Sequence, residues 1–117
     1  MRHLLSRVLA LVVTLSISMG SAAWTGNDLQ KYCADEDDGY TFNLCRGFIR
    51  GAFDGHNVVS AIYKKDDVFC LPEEVTVGQV AKVVLKYLEN HPEMLHEMAV
   101  GVVYAALFRA FPCEDGQ

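Results

Sequence analysis

Proline is scarce in this chain. Only Pro72, Pro92 and Pro112 occur in 117 residues, so long helices meet few obligatory breaks. No stretch alternates apolar and polar residues convincingly, which argues against a sheet. No two cysteines, and no cysteine and histidine, stand at the close spacing that zinc ligation uses. His91 and His96 are five apart and fall on different helix faces, and His96-Glu97 lacks the second histidine of a zinc-protease helix. Gly-x-Ser-x-Gly, phosphate-loop and dinucleotide glycine patterns are missing too. The chain therefore offers no catalytic residues, no metal ligands and no cofactor motif, and a non-enzymatic binding role is the simpler expectation.

Basic residues are few as well. The N-terminus carries Arg2, His3 and Arg7, then the apolar run Val8 to Leu15, then Ser21-Ala22-Ala23. Those are the three parts of a secretory signal peptide, and the run is short for a membrane span. With cleavage after Ala23, residues 1-23 are the leader and 24-117 a single domain. No cysteine just after the run supplies a lipoprotein anchor, so no membrane attachment is expected after cleavage. Loss of Arg2 and Arg7 leaves eight basic against fifteen acidic residues, a formal charge of −7. Nucleic acid and anionic lipid are poor partners for such a surface, whereas a basic protein is steered toward it.

All four cysteines, Cys33, Cys45, Cys70 and Cys113, lie in the mature part. An even count in an exported domain reads as two disulfides. A cysteine nucleophile paired with His56 or His96 is correspondingly disfavoured. Spacing alone leaves three pairings open, so the choice depends on helix order.

Asn27 or Thr25 begins a short helix holding Leu29, Tyr32 and Cys33. Asp35-Glu36-Asp37-Asp38-Gly39 reads as a solvated acidic turn without the ligand order of a calcium loop. From Thr41 to about Tyr63 the spacing predicts one long helix, with Phe42, Cys45, Ile49, Ala52, Phe53, His56, Val59 and Tyr63 on its apolar side. Gly47, Gly51 and Gly55 recur every fourth residue on one face. Each costs about 0.5–1 kcal/mol relative to alanine in a helix interior, so close packing of a second helix is expected there, with a homodimer seam as the alternative. Thr76 and Gln79 form a capping box for a third helix whose buried stripe runs from Val77 to Leu88. Pro92 suits the first turn of a fourth helix ending near Phe111. The short link between these two predicts an antiparallel pair, which returns Cys113 toward Cys70. Cys33 and Cys45 flank the first connection. The expected pairs are Cys33 with Cys45 and Cys70 with Cys113, in an all-α bundle of about four helices. Lys64-Lys65-Asp66-Asp67-Val68, in the connection pinned by Cys70 and Pro72, is the first candidate partner-binding patch, because pinned connections often carry recognition. Asn90, His91 and Glu93 form a second.

The ordered landmarks resemble a known family. An early Cys33, then Cys45-x-Gly47-x-Ile49-x-Gly51-x-x-Asp54-Gly55, Cys70-Leu71-Pro72, Tyr87-Leu88-x-x-His91-Pro92 and Ala106-Leu107-x-x-x-Phe111-Pro112-Cys113 are similar to the Rap/Tai immunity proteins. The resemblance implies a small all-helical periplasmic protein, commonly a homodimer. It also implies that the protein binds and blocks a peptidoglycan amidase effector delivered by type VI secretion. The alternative is a periplasmic acid-stress chaperone resembling the Hde proteins, which are also exported, helical and disulfide-stapled.

Overall fold

The computed structural model describes residues 23–114 together with His3. Most of the expected leader therefore lies outside the described residues. Four α-helices follow in order: α1 Gly26–Ala34, α2 Gly39–Tyr63, α3 Val77–Asn90 and α4 Ala99–Ala110, with a 3₁₀ turn at Pro92–Met94. Among the described residues the sole β feature is an isolated bridge between Thr25 and Met98. None of their helices is long and apolar enough to cross a membrane.

Caps set the helix boundaries. The Thr25 N–H donates to Asp28 Oδ2 at 2.8 Å, placing a carboxylate in the first turn of α1. Asp38 closes the acidic turn and starts α2: its Oδ1 accepts the N–H groups of Tyr40 and Thr41, and its Oδ2 accepts the Thr41 hydroxyl at 2.6 Å. The Thr41 hydroxyl bond, followed by the Thr41 backbone bond, lowers the Asp38 pKa below the ordinary aspartate value. Thr76 Oγ1 accepts the Gln79 N–H at 3.1 Å and starts α3.

The apolar faces converge on one core. Leu29 and Cys33 of α1, Cys45 and Ile49 of α2, Val84 and Leu88 of α3, and Val102, Val103 and Leu107 of α4 are all buried. Each large side chain so buried contributes about 1.5–3 kcal/mol. That outweighs the intrinsic propensity of helices this short, which are marginal alone. Trp24 packs at the edge, stacked on Tyr32 at 4.8 Å and Phe48 at 5.1 Å. Two disulfides join Cys33 to Cys45 and Cys70 to Cys113, with Cα separations of 5.1 and 4.9 Å. These are the expected pairs.

Three expectations need correction. First, the fourth helix does not start at Pro92. After the 3₁₀ turn the chain extends at Met98 (φ −58°, ψ 127°) before α4 begins at Ala99. Backbone pairing with the segment before α1 holds this break open. Ala99 N–H donates to Trp24 O at 2.7 Å, Gly26 N–H to Glu97 O at 3.0 Å and Asn27 N–H to Leu95 O at 2.8 Å. These bonds use the Ala99 N–H and the Leu95 and Glu97 carbonyls, groups that a continuous helix would have paired within itself. Second, α3 and α4 do not run simply antiparallel. Leu107 borders a groove with Val77 and Val80 near the start of α3, yet Arg109 reaches His91 just beyond its end. The two helices therefore cross. Third, among the described residues no helix packs on the glycine stripe. Gly47, Gly51 and Gly55 are exposed, and a Cβ at any of them would meet nothing within 4 Å. The core lies on the opposite side of α2, where Cys45, Ile49, Ala52 and His56 are buried.

Candidate functional site

The first candidate patch begins where α2 stops. Lys64 adopts a left-handed conformation (φ 49°, ψ 44°), and its N–H bonds back to Ser60 O. It is the one non-glycine residue with positive φ among the described residues. A lysine in this region costs about 1–2 kcal/mol, so the sharp reversal persists only because the structure beyond it is fixed. Lys65, Asp66, Asp67 and Val68 follow, all exposed. Neither lysine is ion-paired among the described residues, whose ion pairs lie at Arg50–Asp54, Lys82–Glu36, Lys86–Glu89 and His96–Glu97.

The far end of the loop is anchored three times. Val68 N–H donates to His56 Nε2 at 3.1 Å, which places the neutral ring's proton on Nδ1, facing Asn57 Oδ1 at 3.5 Å. His56 is only 6% exposed. Its ring stacks on Phe69 at 4.3 Å and meets Tyr104 edge-on at 5.8 Å. The Tyr104 hydroxyl in turn donates to Ala52 O at 3.0 Å. Cys70 N–H then donates to Phe111 O at 2.9 Å, beside the Cys70–Cys113 disulfide. The loop is thus a short charged projection between a strained turn and a rigid base. His56, considered above beside a cysteine nucleophile, holds this base in place, and every cysteine is in a disulfide.

The second patch has a different character. Asn90 and Glu93 are exposed, but His91 is half-buried and fully engaged. Its Nδ1–H donates to Tyr87 O at 2.9 Å, its Nε2 accepts from Arg109 Nη1 at 2.7 Å, and its ring stacks on Tyr87 at 4.3 Å. It clamps α4 to the end of α3 and presents the Arg109 guanidinium at the surface. No hydrogen bond or ion pair links this patch to Lys64–Val68 among the described residues. The two are connected through the end of α4, which carries Arg109 on one side and Phe111 and Cys113 on the other.

Sequence reasoning missed the apolar end of α2. Val58, Val59, Ile62 and Tyr63 are 53–68% exposed. Val59 and Tyr63 were expected on the buried side, but the body of the protein ends at His56 and the last two turns overhang it. A signal was present: Val58-Val59 and Ile62-Tyr63 are adjacent apolar pairs, and no single helix face can bury both members of such pairs. Among the described residues, no three His, Cys, Asp or Glu side chains are grouped to hold a metal.

A small helical bundle with two disulfides, a preorganised charged loop and an exposed apolar overhang has the features of a protein-binding domain. The chain belongs to the Rap1a immunity protein family, whose model matches residues 25–113. Comparison with curated proteins and with solved structures gives no match. Family membership assigns the chain to proteins that bind a protein effector in an immunity role, a typically non-enzymatic one. The two disulfides are consistent with the oxidising periplasm.

Proposed function

We propose that residues 1-23 direct export, and that the mature domain is a periplasmic homodimer that binds and occludes a peptidoglycan amidase effector of type VI secretion. It acts by stoichiometric binding, without catalysis, metal or cofactor. Lys64, Lys65, Asp66, Asp67 and Val68 form the plug that enters the amidase cleft and excludes its substrate. Asn90, Glu93 and the Arg109 held by His91 make flanking contacts. The observation that carries this reading is the fixed loop base, with the Val68–His56 bond, buried Phe69 and the Cys70–Cys113 disulfide within three residues. A loop ordered before binding loses little conformational entropy on docking, so its contacts translate into affinity. The acidic surface steers a basic effector toward it.

The test is capture of secreted effectors from the source organism by the oxidised mature protein, compared with its Lys64→Glu/Lys65→Glu variant. Retention of one amidase by the parent and its loss by the variant supports the plug. An amidase retained equally by both removes the loop from the interface.

A second reading, an acid-stress chaperone resembling the Hde proteins, draws on the exposed Val58, Val59, Ile62 and Tyr63. It requires that acidification enable the protein to suppress aggregation of unrelated clients. A protein that protects no client at low pH is not such a chaperone.

A further inference from the structure

Where α3 and α4 cross, an open groove of about 510 Å³ lies at the surface, a volume within the range of ligand clefts. Its lining is apolar at Val83, Ala106 and Ala110 and cationic at Lys86 and Arg109, with the exposed Asn90 amide beside them. The chain has fifteen acidic residues, yet none of them lines this groove.

Arg109 is fixed there without being neutralised. Its Nη1 donates to His91 Nε2 at 2.7 Å, and His91 is itself held by its Nδ1–H bond to Tyr87 O at 2.9 Å and by its stack on the Tyr87 ring. An imidazole that donates at Nδ1 and accepts at Nε2 is neutral, so the clamp orients the guanidinium and leaves its charge intact. Among the described residues the other N–H groups of the fork find no acceptor and Arg109 pairs with no carboxylate. Ordering a long arginine side chain costs rotamer entropy, and no charge pairing among those residues offsets it. Lys86 meets Glu89 at 3.4 Å with both side chains about two-thirds exposed. Such a pair is worth little, so Lys86 can turn to another anion.

We propose that this groove takes the side-chain carboxylate of a glutamate on a protein partner. The inference names the chemistry of the flanking contact in the function proposed above and rests on that reading for the partner's identity. A planar guanidinium matches a carboxylate with two parallel hydrogen bonds, and Lys86 adds a second cation. Val83, Ala106 and Ala110 accept the glutamate methylenes. The Asn90 amide can both donate to and accept from a neighbouring peptide group. Because the groove is open, a chain can pass across it, which favours an internal side chain over a chain terminus. The acidic surface around it repels polyanions such as nucleic acid, whereas a single carboxylate meets the local cations.

The test titrates the oxidised mature protein, followed by NMR, with three short peptides: acetyl-Ala-Glu-Ala-amide, its glutamine counterpart, and acetyl-Ala-Ala-Ala with a free terminal carboxylate. The glutamate peptide should give saturable shifts at the Val83, Ala106 and Ala110 amides and at Arg109 Nε–H, and the other two should bind at least about tenfold more weakly. Arg109→Gln should weaken the glutamate peptide by a similar factor. Lys86→Gln leaves the His91 clamp untouched and should weaken it by about two- to fivefold. Lys82→Gln, which removes an α3 charge outside the groove, should leave it unchanged. Equal binding of the glutamate and glutamine peptides overturns the proposal. So does preference for the terminal carboxylate, or glutamate binding that survives both Arg109→Gln and Lys86→Gln. Failure of the immunity reading shows elsewhere, as capture of no amidase, and leaves these shifts as they are.

Discussion

Gly26→Ala and Gly101→Ala are the same chemical change in two helices of one protein, and the structure assigns them opposite signs. A Cβ on Gly26 would stand 2.7 Å from Met94 O, 3.0 Å from Leu95 Cα and 3.1 Å from Leu88 Cδ2. Two of those atoms are backbone, held where they are by the Gly26–Glu97 and Asn27–Leu95 bonds. Relief requires the segment between the 3₁₀ turn and α4 to move, which strains the Trp24–Ala99 bond as well. Overpacking of this kind costs about 1–3 kcal/mol. In a domain of this size each kcal/mol moves Tm by about 4–8 °C, so Gly26→Ala should lower it by roughly 5–20 °C. Gly101 lies in α4 with nothing within 4 Å of an added Cβ. There alanine should gain about 0.5–1 kcal/mol of helix propensity and raise Tm by a few degrees. Thermal unfolding of the two oxidised variants by circular dichroism reads both. A Gly26→Ala protein as stable as the parent would refute the close backbone approach, and with it the explanation for the late start of α4.

His56→Leu keeps the apolar bulk but strands the Val68 N–H, so it should cost about 1–3 kcal/mol and accelerate hydrogen exchange at Val68 in particular. Uniform exchange across the domain would contradict the local anchor. The disulfides should differ in accessibility and in weight. Cys70–Cys113 is half-exposed and spans 43 positions, while Cys33–Cys45 is buried and spans 12. Chain entropy then gives about 4 and 3 kcal/mol respectively. Limited reduction under native conditions, followed by mass mapping, should open Cys70–Cys113 first. Asp38 supplies a pH dependence. Its pKa is lowered in the fold, so the stability it adds is complete above the ordinary aspartate range and is lost as pH falls through the depressed value. Asp38→Asn should therefore lower Tm at neutral pH and flatten the decline toward acid. A decline as steep as the parent's would assign the acid sensitivity elsewhere.

Local chemistry made much of this fold legible. The Thr76 cap, the apolar stripe of α3 and the capping role of the residues before α1 depend on neighbours a few positions away. Both disulfide pairs were as expected; Cys33–Cys45 followed from its short connection, whereas Cys70–Cys113 was reached through an antiparallel α3–α4 pair that the structure replaces with a crossing. The break between Pro92 and Ala99 was not legible, since Trp24 and Gly26, more than seventy positions away, supply bonds that hold it open. The same limit applies to the site. The Lys64–Val68 loop is visible as a break in apolar period, but its rigidity comes from His56 and Cys113, which only the fold brings to it. Glycine spacing showed that α2 has a bare face without showing which way it points. Val59 and Tyr63 continue the buried period in sequence and lie beyond the body in space.

Occlusion at fixed stoichiometry is the central claim, and titration tests it most directly. The cognate type VI amidase is assayed for peptidoglycan cleavage while the oxidised mature protein is added in steps. The account predicts that cleavage falls linearly and ends when one protomer is present per amidase, and that Lys64→Glu/Lys65→Glu shifts or abolishes that end point. Cleavage that continues unchanged in excess of this protein would contradict it.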